Sequence, residues 1–167
     1  MSDSTSDPAQ LSRRVAAIAA AAPVLAAALL GNFATTPNIA PWYDTLAKPP
    51  LTPPNWVFGP AWTALYALMA FALYRILRLA PATPGRRAAI FFFFAQLGLN
   101  AAWSFAFFSA RSPLLGLAVI LPMEAILVAT IVWFCRLDRI AGFCLAPTAF
   151  WVAFAIYLNA GIFALNS

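Results

Sequence analysis

The sequence predicts an all-α membrane protein, a five-transmembrane-helix bundle with a long Pro-rich loop between helices 1 and 2. Three observations predict it. Of 167 residues, 63% are hydrophobic and only 9% are charged, where a soluble domain has roughly 45–50% apolar and about 25% charged residues. Ten basic and five acidic side chains cannot clothe a water-facing surface of this size, so lipid must be the solvent for most of the chain. Finally, the few charges cut the chain into apolar runs of membrane-spanning length.

The elements follow in order. Residues 1–12 are polar and rich in Ser and Asp, and read as a disordered tail. Residues 13–166 form a single transmembrane domain. Arg13 and Arg14 open an Ala-rich run to Phe33. It has the charged start of a secretory leader, but it is long for one, and Gly31-Asn32-Phe33 is a poor cleavage site. Lys48 to Arg75 encloses 26 uncharged residues, Arg87 to Arg111 encloses 23, and 28 uncharged residues follow Arg139. Arg111 to Arg136 encloses 24, among them Glu124. A bilayer core of ~30 Å takes about 20 helical residues, so each run is one helix. Backbone groups in lipid must be paired within the segment, and Ile90-Phe91-Phe92-Phe93-Phe94 lacks the alternation of a barrel strand. The spans fall at about 14–33, 56–78, 87–109, 113–135 and 140–164.

Between the first two spans, Pro37, Pro41, Pro49, Pro50, Pro53 and Pro54 forbid a continuous helix. Stiff prolines interleaved with Trp42, Tyr43, Leu46 and Leu51 favour an ordered cap on the bundle over a solvated linker.

Eight arginines sit on the side of the N-terminus, against Lys48 and Arg111 on the other. The positive-inside rule then places the N-terminus in the cytoplasm of a bacterial cell membrane and the Pro-rich loop outside. The rule assumes an energised inner membrane and leaves an outer-membrane location open. The same distribution explains the net charge of +5 as helix-end arginines facing headgroups, without nucleic acid as a partner. No histidine is present, and Cys135 and Cys144 do not form a Cys-x-x-Cys pair, so no metal site is expected. The two thiols read as buried and inert, with a disulfide as the alternative.

Several stripes carry candidate chemistry. Gln96, Asn100, Trp103 and Phe107 recur on one face of the third helix. Trp151, Ala155, Leu158 and Asn159 do so on the fifth, and Trp62, Tyr66 and Met69 on the second. Amides in hydrocarbon are costly unless paired, so these faces point inward. They either pack the bundle or enclose a flat hydrophobic ligand, with amides and Trp N–H groups addressing its polar edge. Gly98, Ala102, Ala106 and Ala110 make a small-residue stripe that suits a homodimer or a close helix of the same chain. Glu124 lies mid-span behind Pro122, either as a functional acid or as a neutral carboxyl bonded to a carbonyl that the proline frees.

Trp42-Tyr43-Asp44-Thr45-Leu46-Ala47-Lys48-Pro49, followed by Pro53-Pro54-Asn55-Trp56-Val57-Phe58-Gly59-Pro60-Ala61-Trp62-Thr63-Ala64-Leu65-Tyr66, resembles the signature of the TspO/MBR family of tryptophan-rich sensory and translocator proteins. Gln96-Leu97, Asn100, Trp103, Phe107-Phe108 and Ala110-Arg111 match its third-helix block. Pro147, Trp151, Phe154-Ala155 and Leu158-Asn159 are similar to its fifth-helix motif. Leu51 departs from a position where the family often has Trp, and Leu115 from another. The resemblance implies a five-helix bundle, often dimeric, that binds porphyrins and in some members sterols, with no required cofactor. It implies a receptor or sensor whose ligand site draws on Trp42, Trp56, Phe58, Trp62, Tyr66, Gln96, Asn100, Trp103, Phe107, Trp151, Ala155, Leu158 and Asn159. Two alternatives accompany it: a tetrapyrrole or sterol transporter, and an enzyme that degrades protoporphyrin in light, with Trp62 and Trp151 as catalytic residues. A sterol-recognition pattern is formally present at Leu68, Tyr74 and Arg78, but that pattern is weak, and it reads as an interfacial Tyr with cytoplasmic arginines.

Overall fold

The computed structural model describes residues 11–167, and residues 1–10 of the tail expected at 1–12 lie outside them. Five helices are long and apolar enough to cross a membrane: α1 (Arg13–Thr35), α2 (Asn55–Leu77), α3 (Arg86–Ser104), α4 (Pro113–Leu137) and α5 (Arg139–Leu165).

Local chemistry sets their ends. Ser12 caps α1 through its hydroxyl on the Val15 N–H at 3.3 Å, so it belongs to the helix start and not to a tail. Ser112 caps α4 on Leu115 at 3.2 Å, with Pro113 at the first helical position where its missing N–H costs nothing. Asp138 ends α4 and caps α5 on the Ala141 N–H at 3.1 Å. Gly85 starts α3 at φ +82°, and a Cβ there would stand 2.8 Å from the Trp133 ring. Glycine is required at that turn on both counts. Pro23, Pro60, Pro122 and Pro147 lie inside helices, as membrane spans tolerate.

The helices close into a ring in the order α1–α2–α5–α4–α3. The ring's interior is packed by Met69, Leu73, Ile76, Phe93, Ile120, Met123, Leu127 and Phe134. Phe91, Phe143 and Phe150 point outward, as suits a surface solvated by lipid.

The arginine-rich end is tied together by charge. Arg75 pairs with Asp138 at 2.8 Å, and Arg86 donates to the Ile76 and Leu77 carbonyls at the end of α2. Arg78 donates to the Leu11 carbonyl. Burial alone would raise the Asp138 pKa, but hydrogen bonds from Arg75 and from the Ala141 and Ile140 N–H groups, with the Arg75 charge, hold it below the usual carboxylate range.

At the other end α3 runs into a π-helical turn, Phe105–Ser109. The wider turn brings adjacent Phe107 and Phe108 both inward, where a regular helix would set them about 100° apart. The 36–54 segment holds two short 3₁₀ turns, Thr36–Asn38 and Tyr43–Thr45. It is fastened to the end of α5. Asn166 accepts from the Ala47 N–H at 3.0 Å and donates to the Ala47 carbonyl at 2.9 Å. The Tyr157 hydroxyl donates to the Pro50 carbonyl at 3.0 Å. Pro49 sits so near Gly161 that a Cβ there would lie 2.6 Å from its ring.

Candidate functional site

Below the 36–54 segment the ring encloses a cavity of about 530 Å³, within the range of small-molecule sites. Helix α1 contributes Ala28, Leu29, Gly31, Asn32 and Thr35, and α2 contributes Trp56, Phe58, Gly59, Trp62, Thr63 and Tyr66. Asn100, Trp103 and Ser104 come from α3, with Phe107 and Phe108 from the π turn. Ala155, Leu158, Asn159 and Ile162 come from α5, and Ile39 and Tyr43 roof it. None of the lining residues is charged. Leu29 is 61% exposed and Trp56 74% exposed, so the cavity reaches the outside of the bundle between α1 and α2.

The aromatic wall is rigid because each ring rests on another. Trp103 stacks on Phe107 with centroids 5.4 Å apart and planes 21° apart. Trp62 lies against Tyr66 at 5.4 Å. Tyr43 packs on Phe107 and Phe108 and carries the Lys48 ammonium over its ring at 4.7 Å. Burial, and then the Asp44 charge, raise the Tyr43 pKa, so it stays neutral. Offset and edge-on ring pairs of this kind add ~0.5–1.5 kcal/mol each beyond burial.

Of the sequence-derived candidates, Trp56, Phe58, Trp62, Tyr66, Asn100, Trp103, Phe107, Ala155, Leu158 and Asn159 meet at this cavity. Three stand off it. Trp42 packs edge-on against Phe107 at 5.4 Å, outside the wall. Trp151 lies one turn inward from Ala155, in edge contact with Phe58 at 6.0 Å, and does not line the cavity. Gln96 lies one turn inward from Asn100, 1% exposed, and its Nε2 has no partner among the described residues.

Among the indole N–H groups expected to address a ligand, that of Trp103 is engaged within the bundle. The Trp103 N–H donates to Asn159 Oδ1 at 3.2 Å, and Asn159 Nδ2 donates to the Pro113 carbonyl at 2.8 Å. That chain ties α3, α5 and the start of α4 together and is closed to a ligand. Gly116 makes room for it, since a Cβ there would fall 2.6 Å from Asn159 Oδ1 and 2.8 Å from Phe107 Cδ2.

Helix α1 was missed as a wall. Its alanines give no inside–outside contrast, and the one polar break that marks its inner face is Gly31-Asn32. Phe108 was missed because a π turn cannot be read from a regular 3.6-residue period, whereas Ser104 falls four residues after Asn100 on the stripe already read and could have been found from it. Glu124 does not line the cavity, and its Oε2 is buried without a hydrogen-bond partner among the described residues. The carbonyl that Pro122 frees therefore does not hold it. The Gly98, Ala102 and Ala110 stripe is exposed, with Ala106 half-buried, and nothing lies within 4 Å of a Cβ built at Gly98. The stripe thus faces away from its own bundle. Both cysteines are free.

Comparison with known proteins gives one answer at three distances. The TspO/MBR family profile matches residues 19–165. A tryptophan-rich protein TspO of Archaeoglobus fulgidus is 40% identical over 144 residues, covering 86% of this chain and 92% of that one. A tryptophan-rich sensory protein of Cereibacter sphaeroides is 39% identical over 125 residues, 75% of this chain and 77% of its own. The human translocator protein is 34% identical over 119 residues, 71% of this chain and 70% of its own.

Proposed function

This chain belongs to the TspO/MBR family, and from that premise we propose that it is a membrane receptor or sensor that binds porphyrins, and other flat apolar molecules such as sterols, in the cavity beneath the 36–54 segment. The observation that carries the reading is the cavity wall. About 530 Å³ is lined by Trp62, Trp103 and Phe107 among others, with no charged side chain among the lining residues, and Leu29 and Trp56 at its edge are exposed. A macrocycle that partitions into the bilayer can enter there and stack without crossing water.

The transporter reading is weaker on the same geometry. Inward of the cavity the ring is filled by Met69, Leu73, Phe93 and Val152, all essentially inaccessible, so there is no path through the centre. Of the two residues the light-dependent enzyme reading names, Trp62 lines the cavity and Trp151, in edge contact with Phe58, does not. We further infer that the arginine-rich end and the N-terminus face the cytoplasm, and that the outward Gly98/Ala102 face meets a second copy.

Titration of the purified protein with protoporphyrin in the dark, followed by illumination, tests the reading. Saturable binding is expected, with Trp62→Phe weakening it about two- to tenfold, the worth of one aromatic contact. Trp151→Phe should weaken it less. Absence of saturable binding would refute the receptor reading, and loss of tetrapyrrole absorbance that depends on both Trp62 and light would favour the enzyme.

A further inference from the structure

We propose that the seam between α3 and α4 at the arginine-rich end is a seat for the phosphate of an anionic lipid, held by Arg87 and Arg136 beside Trp133. It lies at the opposite end of the bundle from the cavity and does not depend on what the cavity binds.

The basic residues of that end divide by what they already hold. Arg75 is paired with Asp138, the one acid at that end among the described residues. Arg86 is engaged by the Ile76 and Leu77 carbonyls, and Arg78 by the Leu11 carbonyl. These side chains close the bundle. Arg87 and Arg136 are exposed, and neither side chain makes a hydrogen bond or ion pair with a described residue.

Trp133 brings the two together. Its ring is stacked on Phe92 of α3 with planes 19° apart, which fixes its orientation across the seam. The Arg136 guanidinium lies over the ring, 5.4 Å from its centroid. That contact positions the side chain and leaves its N–H donors uncommitted. The same ring lies against Gly85, where a Cβ would stand 2.8 Å away. Arg87 is two residues beyond Gly85 and lines, with Thr83 and Gly85, a surface recess of about 420 Å³. Both guanidiniums are thus anchored within a side chain's length of the Trp133–Gly85 contact.

Two guanidiniums without an acid between them suit an oxyanion with several acceptor oxygens, and phosphate can take paired N–H donors from each fork. The neighbouring surface identifies the phosphate as a lipid's. One turn farther into the span stand Phe91 on α3 and Val132 on α4, both exposed. An acyl chain can lie along them while its phosphate stays at the helix ends, where Trp and Arg mark the interface. A soluble phosphate or an acidic peptide would leave that apolar wall unused. The seat is also clear of the outward small-residue stripe, since Arg87 precedes Gly98 by eleven residues, or about 16 Å of helix.

Native mass spectrometry of the protein released from nanodiscs tests the seat, with phosphatidylglycerol and phosphatidylcholine of identical chains in equal amounts. The wild type should retain phosphatidylglycerol about ten- to thirtyfold over phosphatidylcholine, from two arginines worth about fivefold each. Arg87→Gln and Arg136→Gln should each lower that ratio about fivefold, and the double variant should bring it near one. Both side chains are exposed, so the variants should keep the wild-type unfolding temperature in pure phosphatidylcholine. Arg13→Gln and Arg14→Gln, at the same end on α1, should leave the ratio within about twofold. Equal losses from all four substitutions would mean a diffuse basic surface and overturn the seat. A wild-type ratio near one, or a ratio that survives the double variant, overturns it as well. Excess inorganic phosphate should not displace the lipid, and displacement would make this a free-phosphate site and overturn the lipid assignment.

Discussion

Asn166→Ala should release the roof of the cavity without unfolding the bundle. The Asn166 side chain makes two bonds to Ala47, one through each of its polar atoms, at 3.0 and 2.9 Å, and a third to the Ile162 carbonyl at 2.7 Å. Alanine deletes all three and leaves the α5 backbone as it is. Both Asn166 and Ala47 are exposed, so the lower half of the usual range applies, ~0.5–1 kcal/mol for each of the two cross-links. Together they give ~1–2 kcal/mol, or about a five- to thirtyfold rise in the open population of the segment. The remaining ties, Tyr157 to Pro50 and the seating of Pro49 at Gly161, keep the segment docked on average. Amide hydrogen exchange reads the change directly, because the Ala47 N–H is itself the donor. It should exchange about five to thirty times faster. The Thr45 and Leu46 amides, bonded within the segment to the Trp42 and Tyr43 carbonyls, should change less. Ligand dissociation should quicken by no more than the same factor. Ala47 exchange within twofold of wild type would show that the latch bears no part of the segment's stability.

Gly116→Ala should destabilise by about 1–3 kcal/mol through overpacking, since the new methyl would meet Asn159 Oδ1 at 2.6 Å and Phe107 Cδ2 at 2.8 Å. That exceeds the ~1 kcal/mol that alanine gains over glycine in a helix, and denaturant unfolding in mixed micelles that showed a gain would contradict the closed Trp103–Asn159–Pro113 chain. Because the Asp138 pKa is depressed in the folded protein, its contribution is present above the ordinary Asp value of about 4 and is lost as pH falls through the lower folded value. Asp138→Asn, which can still cap α5, should therefore flatten the acid limb of a stability–pH profile, and an unchanged limb would assign it to other carboxylates. Ala102→Leu with Ala106→Leu should yield monomer by light scattering in detergent if the outward face of α3 is the contact between copies, and a persisting dimer would place that contact elsewhere.

The number and placement of the spans were legible in the sequence because the bilayer imposes a length and a charge rule that act on each segment separately. The Ala-rich run after Arg14 and the four runs of 23 to 28 residues bounded by Lys48 or arginines, charged only at Glu124, admit one helix each, and the five helices lie where those runs are. Ten of the candidate residues meet at one cavity, since regular 3.6-residue stripes on α2, α3 and α5 sort inward from outward faces wherever amides and indoles break the apolar background. Tertiary structure alone decided the rest. It set the ring order, made α1 a wall through Gly31 and Asn32, kept Trp151 off the cavity against Phe58, and engaged the Trp103 N–H with Asn159. The reason is the solvent. Lipid is as apolar as the interior of the bundle, so hydrophobicity cannot say which face of an alanine- and leucine-rich helix turns inward. That choice falls to close contacts such as the clearances at Gly116, Gly142 and Gly161, which exist only once the neighbouring helix is in place.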